Sequence, residues 1–279
     1  MWFFGQGPVV PVLRFSGPIG MATPLRPGLS IGQAASAIDK AFELSKTPAV
    51  AILINSPGGS PVQSSLIFRR IRQLAEEKKK TVYVFCEDVA ASGGYYLALA
   101  GDEIYADPSS IIGSIGVIFA GFGFDKAIEK LGIERRVYTA GENKDALDPF
   151  RPENPADIER IKSVQRDVHD VFIGIVKERR AGRLRGPDGE LFSGAFWYGP
   201  KALELGLIDG ISDVRSKMRE LYGDKVRLKV VPLEKGGLLG RLRRSSSAGY
   251  EELRTGRLAF GNDLISAIEA RSLWSRFGL

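Results

Sequence analysis

Two six-residue runs without a charged side chain, 49–54 (Ala-Val-Ala-Ile-Leu-Ile) and 81–86 (Thr-Val-Tyr-Val-Phe-Cys), most narrow the folds open to this chain. Both have strand length. The first is apolar at every position, so both of its faces must be covered, as in a parallel sheet flanked by helices. The segments around the runs supply such helices. Residues 30–45 open on a capping Ser30 and repeat Ile31, Ala35, Ile38 and Phe42. A second helical pattern runs to about Lys79, with Ile67, Ile71 and Leu74 on its inner face. A third begins at Tyr95-Tyr96. Repeated strand–helix order predicts an α/β fold with a largely parallel sheet, whose ligands bind at the carboxyl ends of the strands.

The remaining chain extends that pattern. Residues 8–15 read as a first strand, 103–106 as a short one, and 109–119 as an apolar stretch whose glycines let another backbone approach. A helix over 124–131 and a strand over 134–139 follow. Pro149, Pro152 and Pro155 hold an extended loop. Asn154 or Asp157 opens the longest helix, to about Arg180, with Ile158, Ile161, Val164, Val168, Val171 and Ile175 as its packing stripe. Helices over 201–205 and 212–221 and a strand over 226–231 close the globular part. Residues 1–235 form one domain. Gly-, Ser- and Arg-rich residues 236–249 read as a linker, and a C-terminal helix is expected from Asn262, within a 236–279 tail.

Several function classes fall away on composition. The net charge of +6 comes without a dense Lys/Arg block, so no nucleic-acid face is expected. The single cysteine, Cys86, lies in an apolar run and reads as a core thiol. No Cys/His cluster suggests a metal, and no cofactor is expected. The opening Met-Trp-Phe-Phe is apolar but too short for a signal peptide, and no apolar run reaches membrane-span length. These features favour the cytoplasm, with peripheral contact at the inner membrane left open, whether through Trp2, Phe3 and Phe4 or through the tail.

Two loops at strand ends carry the chemistry. In Ala91-Ser92-Gly93-Gly94, a serine between small residues leaves a strand and enters a helix, where peptide N–H groups favour a developing anion. That geometry suits a nucleophile, and it equally suits an ordinary helix-capping turn. In Asn55-Ser56-Pro57-Gly58-Gly59, uncrowded backbone N–H groups make a candidate oxyanion hole, or merely a tight turn. A serine needs a base. The only histidine, His169, lies inside the long helix and reads as a partly exposed surface residue; a lysine can do the work where burial or a nearby charge lowers its pKa.

Asn55-Ser56-Pro57-Gly58-Gly59, Ala91-Ser92-Gly93-Gly94-Tyr95-Tyr96, Gly113-Ser114-Ile115-Gly116-Val117 and Lys144-Asp145, in this order, resemble the signal peptide peptidase SppA family of S49 serine peptidases. Residues 202–209 (Ala-Leu-Glu-Leu-Gly-Leu-Ile-Asp) end the similarity, which covers about residues 8–232. The resemblance implies a ClpP/crotonase-like fold of β-β-α units and a Ser/Lys dyad. Ser92 matches the nucleophile, Lys144 the general base, and Ser114 a serine that hydrogen-bonds the lysine amine. Gly59 and Gly93 would form the oxyanion hole, with Gly58 the alternative to Gly59. It also implies short apolar or unfolded peptide substrates, such as signal-peptide remnants. A ring-like homo-oligomer is implied too, with dyads assembled from neighbouring chains. The chain departs from the best-known members in lacking an N-terminal anchor and in being the short, one-domain form. Two rival readings are a non-catalytic oligomeric scaffold and a crotonase-like acyl-CoA enzyme; neither needs Ser92 or Lys144.

Overall fold

The computed structural model describes residues 7–21, 28–233 and 271–278. Trp2, Phe3, Phe4, the 236–249 linker and the start of the expected C-terminal helix lie outside the described residues.

The apolar runs become the centre of the sheet. Strand β1 (Val9–Ser16), helix α1 (Ile31–Glu43), β2 (Ala49–Ser56), α2 (Pro61–Lys78), β3 (Thr81–Ala91) and α3 (Gly93–Ala98) follow the expected alternation. Val50, Ile52 and Ile54 of β2 point into the layer of α1, α2 and α3; Ala49 and Ala51 face the opposite layer with Met218. Burial of both faces is the reason no polar residue interrupts the run. The cap on α1 differs from expectation: Ser30 sits at the N-cap, but its side chain makes no capping hydrogen bond.

The main path of the sheet runs β6-β5-β3-β2-β1-β8, with β4 and β7 branching from β3. The later elements are β4 (Glu103–Ala106), β5 (Ile111–Gly113), α4 (Asp125–Lys130), α5 (Pro155–Arg179), α6 (Asp188–Leu191), β6 (Phe196–Tyr198), α7 (Gly199–Glu204), β7 (Gly210–Ile211), α8 (Val214–Tyr222) and β8 (Arg227–Val230). Every pairing is parallel except β5 with β6. Strand β3 has eleven residues and two partners on one side: Tyr83–Cys86 pair with β4, and Val89–Ala91 pair with β5. Between them the β2–β3 register shifts, and the Asn55 side chain bridges the irregularity. Its amide donates to Asp88 at 2.5 Å, and its carbonyl accepts from the Val89 N–H at 3.3 Å.

Three expectations are corrected. Residues 134–139 are not a strand; they are irregular and mostly exposed. Phe196–Tyr198, just ahead of the helix expected over 201–205 and assigned to no strand, is a strand, the antiparallel partner of β5. On α5 the buried residues are Phe172 and Val176, followed by Arg180 at the C-cap; Val164 and Val171 of the expected stripe are exposed.

Arg180 is 1% exposed. Its Nε donates to the Gly206 carbonyl at 2.9 Å, and its Nη1 pairs with Asp209 at 2.7 Å. Asp209 also accepts from the Ile104 N–H, and Tyr95 of α3 donates to the Leu207 carbonyl at 2.7 Å. The 206–209 turn therefore locks α5 and α3 to β4.

Candidate active site

Strand β3 ends at Ala91, and Ser92 occupies φ 52, ψ −122. A non-glycine residue at positive φ is strained, and such strain persists only where the surroundings impose it. They do so here. The Ser92 N–H donates to the Gly113 carbonyl at 2.7 Å, and its carbonyl accepts from the Tyr96 N–H at 2.9 Å. Its side chain makes no capping bond to α3. The capping reading of this serine therefore fails on its own criterion, and the hydroxyl stays available.

Gly93 and Gly94 are buried under the loop that ends β2. A Cβ on Gly94 would overlap the Ser56 carbonyl, and one on Gly93 would lie 2.6 Å from Ser64 Oγ. Only glycine lets α3 start this close to its neighbours. Across the gap, a Cβ on Gly58 would fall 2.8 Å from Ser92 Cβ and 2.9 Å from the Gly93 nitrogen. Gly58 and Gly59 have φ of 105° and 140°, and Ile19 clamps them from outside. The Ile19 N–H donates to the Gly58 carbonyl, and its own carbonyl accepts from the Ser60 N–H, both at 2.8 Å.

This arrangement separates the two loop glycines. The Gly58 N–H is consumed, donating to Ser56 Oγ at 3.2 Å. The Gly59 N–H has no acceptor among the described residues, and it lies 3.3 Å from the Cβ position of Gly93. Gly93 opens α3, so its N–H has no acceptor within the helix. Two free donors thus converge beside Ser92. Ser56 and Ser64, which set the spacing of this nest, were not singled out from sequence. Ser56 lies within the Asn55–Gly59 motif, but nothing in the pattern around Ser64 points to it.

Ser114 also has positive φ, at 52°, is buried, and donates its N–H to the Ala195 carbonyl at 2.7 Å. It follows Gly113, whose carbonyl holds Ser92, so the 113–116 loop and the serine turn are directly joined.

Lys144 stands apart. It lies in a turn of the 117–153 arm, on the surface, and its side chain makes no hydrogen bond or ion pair among the described residues. No described contact connects it to Ser92. The arm also exposes Ile118, Phe119, Phe122, Leu131, Ile133 and Tyr138.

Beneath the serine turn, Val89, Ala91 and Ile111 form a small apolar face. It is covered by Trp274 and Phe277 from the C-terminal segment, Phe277 also meeting Phe196 edge-on at 5.1 Å. Cys86, further back on β3, is buried, which pushes its thiol pKa up to about 12. It is a neutral core residue, as expected. Among the described residues no group of three or more His, Cys, Asp or Glu side chains could hold a metal, and no helix is long and apolar enough to cross a membrane.

The family model for peptidase family S49 matches residues 74–226, which include Ser92, Ser114 and Lys144. Over 273 residues, 97% of its length, the chain is 54% identical to a Brucella abortus protein named Na(+)/H(+) antiporter NhaA, but it spans only 37% of that protein. It is 35% identical over 200 residues to a Synechocystis sp. protein named as a protease, covering 69% of this chain and 70% of that one. It is 32% identical over 240 residues to the chloroplastic serine protease SPPA of Arabidopsis thaliana, covering 85% of this chain and 34% of that one. A solved structure of a point mutant of the 1510-N membrane-bound stomatin-specific protease overlays with a TM-score of 0.50 at 17% identity. The overlay covers 82% of this chain and 99% of that one. At that identity the likeness is one of fold, and with the mostly parallel sheet it makes the architecture a ClpP-like α/β fold.

Proposed function

Because the chain belongs to peptidase family S49, we propose that it is a serine peptidase whose nucleophile is Ser92 and whose general base is Lys144. The observation that carries the reading is the strained, uncapped Ser92 beside the free N–H groups of Gly59 and Gly93. A peptide carbonyl placed there would develop its negative charge against these two preorganised donors. Ser92 Oγ attacks the carbonyl carbon, and its proton passes to Lys144 Nζ. The C–N bond breaks as the leaving amine takes that proton, leaving an acyl-enzyme. Water then attacks the ester and gives a proton to Lys144, which returns it to the departing Ser92 Oγ. Ser114, next to the Gly113 carbonyl that holds Ser92, hydrogen-bonds the lysine amine. Short apolar or unfolded peptides are the proposed substrates, since the unpaired N–H groups of Gly59 and Gly93 suit the carbonyl of an extended backbone.

A lysine acts as a base only when neutral, which calls for a dry setting. In one chain Lys144 faces solvent. The exposed apolar side chains of its arm call for a partner, since contiguous exposed apolar surface marks contact sites. We therefore place Lys144 at the Ser92 of a neighbouring copy within a homo-oligomer.

The test is phosphonylation of the purified protein with a serine-directed reagent, read by intact mass and peptide mapping. One adduct at Ser92, absent in Ser92→Ala and much reduced in Lys144→Ala, supports the dyad. Absence of an adduct in folded oligomer, at neutral and alkaline pH, removes it. Mixing Ser92→Ala with Lys144→Ala protein under subunit exchange separates the two forms of the site. If the dyad spans copies, about a quarter of wild-type activity returns, because random equal mixing sets an intact serine against an intact lysine at that share of junctions. No return despite proven exchange puts the dyad within one chain.

A further inference from the structure

We propose that His169 is a positioning residue for the site: it holds the Gly113–Gly116 loop, and through it Ser114, in the orientation the lysine amine needs. The inference rests on the dyad reading above. His169 Nε2 lies 3.0 Å from the Ile115 carbonyl oxygen. A carbonyl only accepts, so Nε2 carries the proton and donates. The bond tethers the residue directly after Ser114.

That tether completes a set. The 113–115 backbone includes Ser114 at φ 52, a conformation that a non-glycine residue keeps only where its surroundings impose it. The Gly113 carbonyl is held by the Ser92 N–H, the Ser114 N–H by the Ala195 carbonyl, and the Ile115 carbonyl by His169. The first two restraints are backbone to backbone. The third is a side chain, and it arrives from α5. The same helix supports the nucleophile from the other direction: one turn after His169, Phe172 packs on Tyr96 of α3, with ring centroids 5.2 Å apart. Tyr96 is the residue whose N–H reaches the Ser92 carbonyl. A single turn of α5 thus sets both the serine turn and the Ser114 loop. A half-buried histidine there is more than the surface residue that its helical neighbours suggest.

The experiment measures the rate of Ser92 phosphonylation, and kcat and KM on a fluorogenic apolar peptide, in full-length His169→Ala, His169→Phe and His169→Gln proteins. Loss of one restraining hydrogen bond predicts a fall of about fivefold to tenfold in phosphonylation rate and kcat for Ala and Phe, with KM little changed. Gln, which retains an N–H donor, recovers most of the rate; Phe, which fills the space without donating, does not. The coupling is read in a Ser114→Ala background, where the His169→Ala effect should shrink toward none. Because His169 is the only histidine, its imidazole nitrogens give a single 15N NMR signature, expected to show a proton on Nε2. An unchanged rate in His169→Ala, full rate in His169→Phe, undiminished loss in the Ser114→Ala background, or an Nδ1–H tautomer would each overturn the proposal. None of these touches the dyad reading, which stands or falls on whether Ser92→Ala abolishes the adduct.

Discussion

The serine turn and the lysine arm are built in opposite ways. Around Ser92, three glycines approach neighbouring backbone so closely that a methyl group would collide, and the strained peptide is held by hydrogen bonds on both sides. Around Lys144, 117–153 expose one large apolar side chain after another, and the lysine amine has no partner among the described residues. One half of the proposed dyad is complete within the chain, and the other is presented outward. The contrast teaches where substitutions should act: in the turn they should damage the fold itself, and in the arm they should damage association while sparing the fold.

The largest effect is expected in the turn. Gly59→Ala places a methyl against the Ile19 carbonyl at φ 140. It should cost about 3 kcal/mol or more, through overpacking and backbone strain together. A urea denaturation midpoint that does not move would show that the turn is not rigid. Arg180→Ala comes close behind: it leaves Asp209 half-buried without its inner partner and should cost about 3 kcal/mol by the same measurement. A loss well under about 1 kcal/mol would mean that Arg183, 3.0 Å from Asp209, suffices.

The arm should behave otherwise. Phe122 is 75% exposed and Tyr138 92% exposed. Phe122→Asp and Tyr138→Asp should change the unfolding free energy of the isolated chain by no more than about 0.5 kcal/mol. Sedimentation velocity should nevertheless show smaller species, and peptide hydrolysis should fall with them. Intact assemblies with full activity would break the contrast and return the search for a base to the single chain.

The smallest effect concerns Cys86. Burial raises its thiol pKa from 9.0 to about 12. It should resist iodoacetamide at pH 8 in folded protein and react once the chain unfolds. The sign for stability follows: a raised folded pKa keeps its stabilising contribution below pH 9 and loses it as pH climbs toward 12. Tyr83 and Tyr105, each raised to about 12 mainly by burial, push the same way. Unfolding midpoints should therefore fall between pH 9 and 12. Rapid alkylation of the native thiol at pH 8 would show that β3 opens behind the site.

The corrected elements share a cause. Residues 134–139 hold the strand-favouring Val137, Tyr138 and Thr139, but a strand needs a hydrogen-bonding edge, and no sheet edge among the described residues reaches the arm. Phe196–Tyr198 has only three residues, too few for a periodic signal, yet β5 offers it an open edge and it pairs. On α5, Val164 and Val171 repeat at helical spacing without a surface among the described residues to cover them, whereas Phe172 and Val176 find α3 and the core.

By itself, the sequence determined the buried parallel sheet, because apolar runs that need both faces covered alternate with amphipathic helices that can cover them, and it determined the serine and glycine motifs at the strand ends. It could mark both Gly58 and Gly59 as candidates. Only the tertiary structure distinguishes their N–H groups, bringing Ser56 Oγ to that of Gly58 and giving that of Gly59 no acceptor among the described residues. It alone set His169 against the Ile115 carbonyl, 54 residues away in sequence. Local pattern reports which face of an element is apolar, whereas the partner of a given N–H or side chain depends on which distant backbone the folded chain carries to it.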